Sequence, residues 1–353
     1  MKVIHSQDEL PHGYSRPVAT IGNFDGLHLG HRQLLLGVVE RAGTIQGTAT
    51  AVTFHPHPLH VLAPNNAPRL IQTLRQRLAT MESLGIELAI VIPFTTEFAQ
   101  ISAREFATRI LADQLKLKEI YVGPNFAFGN RREGSFDLLK EIGEEKGFLV
   151  GKFPQVQFRG SRVSSTAVRQ SLLSGQVARA RRLLGRPFAL EGEIVHGTAT
   201  GAGIGFPTAN LKTPNELIPR NGVYVTLFGV DGRRFRSVTN IGVRPTVNAG
   251  VPDPRLSIET HVLDFQRDVY GKEVNLEFLL RLREERRFPG KEALVAQICK
   301  DIRRARRYFH WLERLVPGAL ADNAMTIDEW KQPVGKFVTR HSSFQVAYGC
   351  NPR

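Results

Sequence analysis

The sequence predicts two domains of different class, an α/β domain with a parallel sheet and then an antiparallel β-barrel with a C-terminal helix. The chain has 353 residues, which is more than one compact domain usually needs. Up to about residue 185, apolar strand-like runs alternate with helical stretches. From residue 188 onward, short strand-like segments separated by Gly, Pro and Asn dominate.

The first domain, residues 1–185, is predicted from this alternation, because helices between parallel strands form βαβ units. The predicted strands are Val18–Ile21, Thr50–Phe54, Leu88–Ile92 and Glu119–Val122, and the predicted helices include Gln33–Arg41, Leu70–Leu84 and Ala103–Leu115. Ligands of such sheets bind beyond the carboxyl ends of the strands. The loop of residues 22–31, which follows the first of these strands, is therefore expected to lie at a ligand site.

The second domain, residues 186–315, is predicted to be the barrel and its helix. The predicted strands are Glu191–Val195, Gly222–Phe228, Arg236–Asn240, Leu256–Val262 and Glu273–Phe278. They are followed by a helical pattern over Lys291–Leu315, with Ile298, Ile302, Tyr308 and Trp311 on or near one face. Residues 316–353 match no pattern and are expected to form a flexible C-terminal extension.

The composition is that of an ordinary globular protein, with 42% hydrophobic and 23% charged residues. The first ten residues have no apolar core of signal-peptide length, and no apolar run is long enough to span a membrane. Cys299 and Cys350 are the two cysteines, so neither a disulfide framework nor a zinc cluster is expected. The chain is expected to be cytoplasmic and to have no membrane partner.

The net charge of +14 raises the question of nucleic-acid binding. Arginines cluster within residues 179–186, 281–287 and 303–307, but the last two clusters lie among carboxylates or on an amphipathic helix. A solvated basic face on an enzyme that handles polyanionic substrates is the favoured interpretation. Specific RNA binding stays open as an alternative.

The loop at residues 22–31 has the features of an anion site. It joins a strand to a helix, so backbone N–H groups and the positive end of a helix dipole meet there. His28 and His31 are three residues apart and would share one helix face. Gly22, Gly26 and Gly30 would let the backbone approach a phosphate closely. The pattern predicts a nucleotide phosphate site.

Residues 22–31, Gly-Asn-Phe-Asp-Gly-Leu-His-Leu-Gly-His, resemble the signature of the nucleotidyltransferase superfamily, and specifically the adenylyltransferase half of bacterial bifunctional riboflavin kinase/FAD synthetases. Residues 122–129 resemble the family's strand-end loop, and residues 164–169 match its Ser-Ser-Thr-x-x-Arg motif. The resemblance implies a Rossmann-like nucleotidyltransferase domain in which His28 and His31 are catalytic. It implies that ATP or FMN is bound by Gly22, Asn23, Phe24, Asp25, Gly30, Asn125, Ser164, Ser165, Thr166 and Arg169.

Two of these segments have a simpler interpretation that stays open when each is taken alone. Ser-Ser-Thr at a helix start is most often an N-cap, which Ser164 or Ser165 could supply. His55 and His57 have no third ligand nearby in the sequence and make a weak metal site. Residues 54–58 also resemble the family's Phe-x-Pro-His-Pro turn, which implies a loop lining the site and not a zinc centre.

A second site is indicated by a glycine-rich flap, Gly197 to Gly205, followed by Phe-Pro-Thr-Ala-Asn. This segment resembles the riboflavin kinase signature. The resemblance implies that ATP or flavin is bound by Gly197, Gly205, Pro207, Thr208 and Asn210. It also implies that Thr208 and Asn210 coordinate Mg²⁺ and that Glu259 is the catalytic base for a primary alcohol. The flap carries no basic residue, so phosphate contacts are expected from its backbone N–H groups or from residues elsewhere.

The resemblance extends over residues 15–310 and implies a bifunctional enzyme. ATP would phosphorylate riboflavin to FMN, and a second ATP would adenylylate FMN to FAD with release of pyrophosphate, with Mg²⁺ as the metal. The alternatives are a nucleotidyltransferase whose barrel binds flavin without turnover, and an RNA-binding protein on the same scaffold. A class I tRNA synthetase is excluded by size and by the absence of its lysine-rich second motif. The oligomeric state is left open.

Overall fold

The computed structural model describes residues 1–5, 14–158, 160–197, 205–248 and 251–318, without the side chains of residues 161, 244–248 and 251–255. Flap residues 198–204 and residues 319–353 of the predicted extension lie outside this description. None of the helices described combines the length and the apolar character needed to cross a membrane.

The first part of the chain forms a six-stranded parallel sheet with helices between its strands. Its strands are β1 (Lys2–Ile4), β2 (Val18–Ile21), β3 (Ala49–His55), β4 (Leu88–Pro93), β5 (Glu119–Val122) and β6 (Leu149–Lys152). Its helices are α1 (Leu29–Ile45), α2 (Pro58–Leu62), α3 (Leu74–Ser83), α4 (Ala103–Glu105) and α5 (Phe136–Lys146). The strand order is β1-β4-β3-β2-β5-β6. The strand order reverses between β2 and β5, so the loops that leave these two strands lie at the ligand-binding edge of the sheet.

Two predicted helices differ from the structure. The helix predicted over Leu70–Leu84 begins at Leu74, because Thr73 and Gln76 form a capping box and the preceding backbone is held by another loop. The helix predicted over Ala103–Leu115 is α-helical in α4 and continues as a π-helix over Phe106–Gln114. The start of α3 also depends on a tertiary contact that local helix propensity does not report, since Asp25 binds the Ile71 and Gln72 N–H groups.

The linking segment between the sheet and the barrel forms a short hairpin and two helices. These are β7 (Gln157–Phe158), β8 (Ser161–Arg162), α6 (Ser165–Leu173) and α7 (Val177–Leu184). The barrel that follows is closed and antiparallel, in the order β10-β13-β12-β11-β14-β9. Its strands are β9 (Phe188–Val195), β10 (Ala209–Lys212), β11 (Gly222–Val230), β12 (Arg233–Asn248), β13 (Val251–Val262) and β14 (Glu273–Arg283). The final helix α8 (Lys291–Leu315) has the predicted bounds.

One hydrophobic cluster runs from α6 and α7 into the barrel. Val168, Leu172 and Leu183 of these helices belong to the same buried cluster as Leu190 and Tyr224 of the barrel. Helix α8 packs on a second cluster, formed by residues of β11 and β14 such as Val225 and Leu279, and its buried residues are Asp301, Ala305, Phe309 and Leu312. The two helices that precede residue 185 therefore pack as part of the barrel's core.

Polar contacts also join α3 to the barrel. The Thr73 hydroxyl donates to the Glu191 carboxylate, and Arg75 Nε donates to the same group at 3.0 Å. The Asn215 amide donates to Gln76 Oε1 at 2.8 Å. The residues that cap α3 thus bind the barrel directly.

Candidate active sites

The loop between β2 and α1 has an unusual backbone. Phe24, Gly26 and Leu27 have φ values of 49°, 82° and 41°. A left-handed conformation costs a non-glycine residue about 1–2 kcal/mol. Phe24 and Leu27 are fully buried, so packing of their side chains fixes the loop in this shape.

His28 and His31 meet at the start of α1, as the sequence predicts. His28 is the N-cap residue, and its Nδ1 accepts the His31 backbone N–H at 3.3 Å. The two rings stack with centroids 3.8 Å apart and planes 15° apart. Gly30 allows this arrangement, because a Cβ there would lie 3.2 Å from Cε1 of His28.

Both imidazoles are neutral at pH 7. Burial lowers the pKa of His28 to about 4, and burial lowers the pKa of His31 well below its usual range. Because Nδ1 of His28 is an acceptor, its neutral ring carries the proton on Nε2, which is an N–H donor. The pair can therefore offer hydrogen-bond donors to an anion without first taking up a proton.

Asp25 and Arg169, both predicted to bind nucleotide, bind each other. Arg169 Nη2 donates to Asp25 Oδ2 at 2.5 Å, and Asp25 Oδ1 accepts the backbone N–H of Ile71 at 2.9 Å and of Gln72 at 3.3 Å. The Ser165 hydroxyl donates to the Asp25 carbonyl at 2.8 Å. These contacts tie the Ser-Ser-Thr-x-x-Arg motif to the loop after β2.

The remaining residues predicted for the first site are distributed around the loop. Ser164 is the N-cap of α6 and accepts the Ala167 N–H at 3.2 Å, while Thr166 is exposed. Asn125 is exposed in the loop after β5. Gly22 lies under Phe24, because a Cβ at Gly22 would meet the Phe24 ring at 3.3 Å.

His55 and His57 belong to the turn after β3. His57 is the N-cap of α2 through its Nδ1, and its Nε2 lies 3.2 Å from Nδ2 of Asn23. Burial lowers the pKa of His57 to about 4. The described residues hold no group of three or more His, Cys, Asp or Glu side chains that could bind a metal ion. His57 therefore lies beside Asn23 of the loop after β2.

Sequence reasoning missed two residues of this site, Arg77 and Arg186. Arg77 is 4% exposed and donates to the carbonyl oxygens of Asn23 and Phe54. Arg186 donates to the carbonyl oxygens of Gly26 and Leu27, and burial lowers its pKa to about 10. Neither lies in a recognised motif, so only tertiary structure places them under the loop.

The second site lies on one face of the barrel. Asn210 of β10 is directly opposite Glu259 of β13, and paired residues of neighbouring strands share a face. Thr208 lies two residues before Asn210, and its Oγ1 is 3.5 Å from Glu259 Oε2. Ser257 donates to Glu259 Oε1 at 3.0 Å. The structure thus brings together the hydroxyl, amide and carboxylate that the sequence predicts.

The backbone around this cluster is close-packed. A Cβ at Gly197 would lie 2.2 Å from Asn210 Nδ2, so a larger residue at the start of the flap would displace the Asn210 side chain. His261 Nδ1 contacts the Pro207 carbonyl oxygen at 2.9 Å, and the Phe206 ring meets the His261 ring edge to face. Gly205 has a φ of 84° and is exposed. Gly197, residues 205–207 and His261 therefore surround the Thr208–Glu259 pair.

Two family models match this chain in sequence. The model described as FAD synthetase matches residues 11–167, and the one described as riboflavin kinase matches residues 184–309. The bifunctional riboflavin kinase/FMN adenylyltransferase of Escherichia coli strain K12 is 40% identical over 293 residues, covering 83% of this chain and 92% of that protein. The protein of the same description from Pseudomonas fluorescens is 40% identical over 289 residues, covering 82% and 92%.

A solved structure has the same architecture. A crystal structure of a Streptococcus pneumoniae protein described as a macrolide-efflux protein aligns with a TM-score of 0.77 at 28% identity. The alignment covers 86% of this chain and 98% of that one. The arrangement of the parallel sheet and the barrel is therefore shared across nearly the whole of both chains.

Proposed function

The chain belongs to the family of bifunctional riboflavin kinase/FMN adenylyltransferases, and on that premise we propose which residues carry each of its two reactions. The enzyme phosphorylates riboflavin with ATP to give FMN, and then transfers AMP from a second ATP to FMN to give FAD and pyrophosphate. We assign the second reaction to residues 1–185 and the first to residues 186–315, with residues 316–353 as an extension. We also place the enzyme in the cytoplasm, where ATP is available.

For adenylyl transfer, we assign His28 and His31 to the α-phosphate of ATP. An FMN phosphate oxygen attacks the α-phosphorus, the bond to the bridging oxygen breaks, and pyrophosphate leaves. The attacking phosphate is already an anion, so the step needs no general base, and the protein's task is alignment and charge stabilisation. Two neutral, stacked imidazoles at a helix N-terminus suit that task, and their geometry is the observation that supports this assignment.

The other predicted residues of this site divide by what they contact. We propose that the backbone of Gly22, Asn23, Phe24 and Gly30 faces the phosphates, and that Asn125 and Thr166 contact the nucleotide or the flavin with exposed side chains. Asp25, Ser164, Ser165 and Arg169 have internal partners. Their role is to hold the loop and the start of α6 in register, with Arg169 adding positive charge nearby.

For phosphoryl transfer to riboflavin, we assign Glu259 as the base. The carboxylate accepts the proton of the primary hydroxyl as its oxygen attacks the γ-phosphorus of ATP, and ADP leaves. Thr208 and Asn210 would orient the phosphates, and Gly197, Gly205 and Pro207 would bring the backbone close to them. The approach of Thr208 and Asn210 to Glu259 supports this assignment.

The oxygen atoms of this cluster also suit Mg²⁺, which prefers hard oxygen ligands and usually binds together with substrate phosphates. Thr208 Oγ1 and the side-chain oxygen of Asn210 would hold it beside the carboxylate of Glu259. When bound, the ion neutralises part of the negative charge of the ATP phosphates.

The test is to incubate the purified full chain with riboflavin, ATP and Mg²⁺ and to separate the flavins by chromatography over time. FMN should appear first and FAD should follow. Conversion of added FMN alone would mean that the barrel binds flavin without turning it over. No conversion, together with salt-dependent binding of RNA, would favour the RNA-binding alternative.

A further inference from the structure

Arg77 reaches from α3 to the ends of two neighbouring strands. Its Nη1 donates to the Asn23 carbonyl oxygen at 2.6 Å and to Thr53 Oγ1 at 3.3 Å, and its Nη2 donates to the Phe54 carbonyl oxygen at 3.3 Å. Asn23 follows β2, and Phe54 lies near the end of β3. One planar guanidinium therefore fixes the spacing between the loop after β2 and the turn that carries His57.

Arg186 holds the other half of the same loop. Its Nη2 donates to the Gly26 carbonyl oxygen at 3.0 Å, and its Nη1 donates to the Leu27 carbonyl oxygen at 3.1 Å. These carbonyls immediately precede His28. Arg77 and Arg186 together contact the backbone on both sides of the left-handed turn.

These contacts set the direction of the loop's N–H groups. A trans peptide directs its N–H opposite to its C=O. Since the carbonyls of Asn23 and Leu27 point to the arginines, the N–H groups of Phe24 and His28 point away from them. The left-handed residues Phe24, Gly26 and Leu27 lie between these two N–H groups, and loops with such residues often bind anions through backbone N–H groups.

The two arginines also leave positive charge beneath the loop. Among the residues described, no Asp or Glu side chain lies within ion-pair distance of either guanidinium; Asp25 pairs with Arg169 and interacts with Arg77 only beyond that distance. Carbonyl oxygens accept hydrogen bonds from the terminal nitrogens of both guanidinium groups but do not neutralise their charge, and the buried Nε of Arg77 has no hydrogen-bond partner in the part of the chain that the structure describes. Arg77 is 4% exposed, and a charge buried to this degree attracts a polyphosphate more strongly than an exposed one.

We propose that Arg77 and Arg186 are positioning residues for adenylyl transfer. They clamp the carbonyl oxygens of Asn23, Gly26 and Leu27, which aims the loop N–H groups and the His28 ring at the nucleotide phosphates. They do not touch the nucleotide. The proposal rests on the assignment of the loop to the phosphates of ATP.

The experiment compares Arg77→Met, Arg77→Lys and Arg186→Met in the full chain. Steady-state rates are measured for FAD formation from added FMN and for FMN formation from riboflavin. Arg77→Met and Arg186→Met should each lower kcat for FAD formation by at least about tenfold, since small misplacements of a catalytic group are costly. The KM for ATP should change less than kcat, and kinase activity should stay within about twofold of wild type.

Arg77→Lys distinguishes a loss of positioning by Arg77 from a failure of the protein to fold. Lysine keeps the charge and can reach one carbonyl but cannot bridge two, so kcat should lie between those of the wild type and Arg77→Met. The matched control is Arg109→Met, which removes an exposed arginine of the same domain and should leave both activities unchanged.

Three outcomes would overturn the proposal: unchanged FAD formation in both methionine variants, a parallel fall of kinase activity, or equal activity of Arg77→Lys and Arg77→Met. If Arg77→Met does not fold, the kcat and KM of Arg77→Lys and Arg186→Met decide the question. A wild-type protein that forms no FAD would instead reject the proposed function, so the two failures are distinguishable.

Discussion

The carboxylate of Asp25 and the guanidinium of Arg169 pair at 2.5 Å although 144 positions separate them in the chain. Each residue belongs to a different sequence motif. The ion pair is therefore one reason why the two motifs must occur together in this fold. It also means that substitutions at either position change the protein's stability as well as its activity.

We expect Arg169→Met to lower the free energy of unfolding by about 3–5 kcal/mol, because it leaves the buried Asp25 carboxylate without its charge partner. Asp25→Asn keeps the contact to the Ile71 N–H and should lower the free energy of unfolding by less than Arg169→Met does. The double variant should be more stable than the sum of the single effects predicts. Urea unfolding of the four proteins measures this, and strictly additive effects would show that the pair contributes nothing.

Replacing both His28 and His31 by alanine should abolish FAD formation and leave FMN formation intact, because the two rings serve one reaction only. The measurement is flavin chromatography with riboflavin as the starting substrate, in which FMN should accumulate. His310→Ala, an exposed histidine on α8, is the matched control. Loss of both activities would mean that the two sites do not work independently.

Gly30→Ala should lower the rate of FAD formation by about tenfold, because the new Cβ would press on the His28 ring. Alanine favours a helix more than glycine does, so α1 itself should not be weakened. Gly43→Ala on the same helix is the control, since a Cβ there has open space. Equal rates of FAD formation in Gly30→Ala and Gly43→Ala would show that catalysis does not depend on the position of the His28 ring.

Glu259→Gln should lower kcat for FMN formation by about 10²–10⁴-fold, the usual contribution of a general base. Added FMN should still be converted to FAD at the wild-type rate. Thr208→Ala combined with Asn210→Ala should likewise lower FMN formation and leave FAD formation unchanged. This double variant should raise the Mg²⁺ concentration needed for FMN formation more than Glu259→Gln does. A Glu259→Gln enzyme that makes FMN normally would remove Glu259 from the mechanism.

Stability should fall as the pH is lowered from about 6.5 to about 4. Burial holds the pKa of His28 at about 4 in the folded chain, against 6.5 for a free imidazole. In that window the unfolded chain binds a proton that the folded chain does not, so acid favours unfolding, by about 3 kcal/mol for this group. Above pH 6.5 the effect vanishes.

Urea unfolding at pH 5 and pH 7 tests this pH dependence. His28→Ala should show a smaller loss of stability between the two pH values than the wild type, whereas His310→Ala should behave like the wild type. An identical loss in His28→Ala would show that His28 takes up its proton normally in the folded state.

Periodicity predicts four strands of the parallel sheet, five strands of an antiparallel barrel and the bounds of α8, because each of these elements has an apolar or alternating pattern. Periodicity extends α3 back to Leu70. The pattern cannot show that Asp25, from another part of the chain, binds the Ile71 and Gln72 N–H groups. The strands β1, β6 and β10 are not predicted either, because each has only three or four residues and none has a continuous apolar run.

The site residues divide in the same way, into those with a local sequence pattern and those defined by tertiary contacts. His28, His31, Thr208 and Glu259 lie in contiguous motifs and could be named from the sequence. Arg77 and Arg186 have no motif, because what matters about them is a distance to backbone carbonyls that only the folded chain defines.

The hydrophobic cluster shared by α6, α7 and the barrel determines where this chain can be divided. A fragment that begins at residue 186 would contain every barrel strand and yet expose the surface that Val168, Leu172 and Leu183 cover. A fragment that begins at the hairpin before α6 would carry its own cover with it. Proteolysis or gene dissection should therefore yield a kinase fragment that starts well upstream of the first barrel strand. The adenylyltransferase fragment left behind would lack α6 and α7, and with α6 it would lose Arg169.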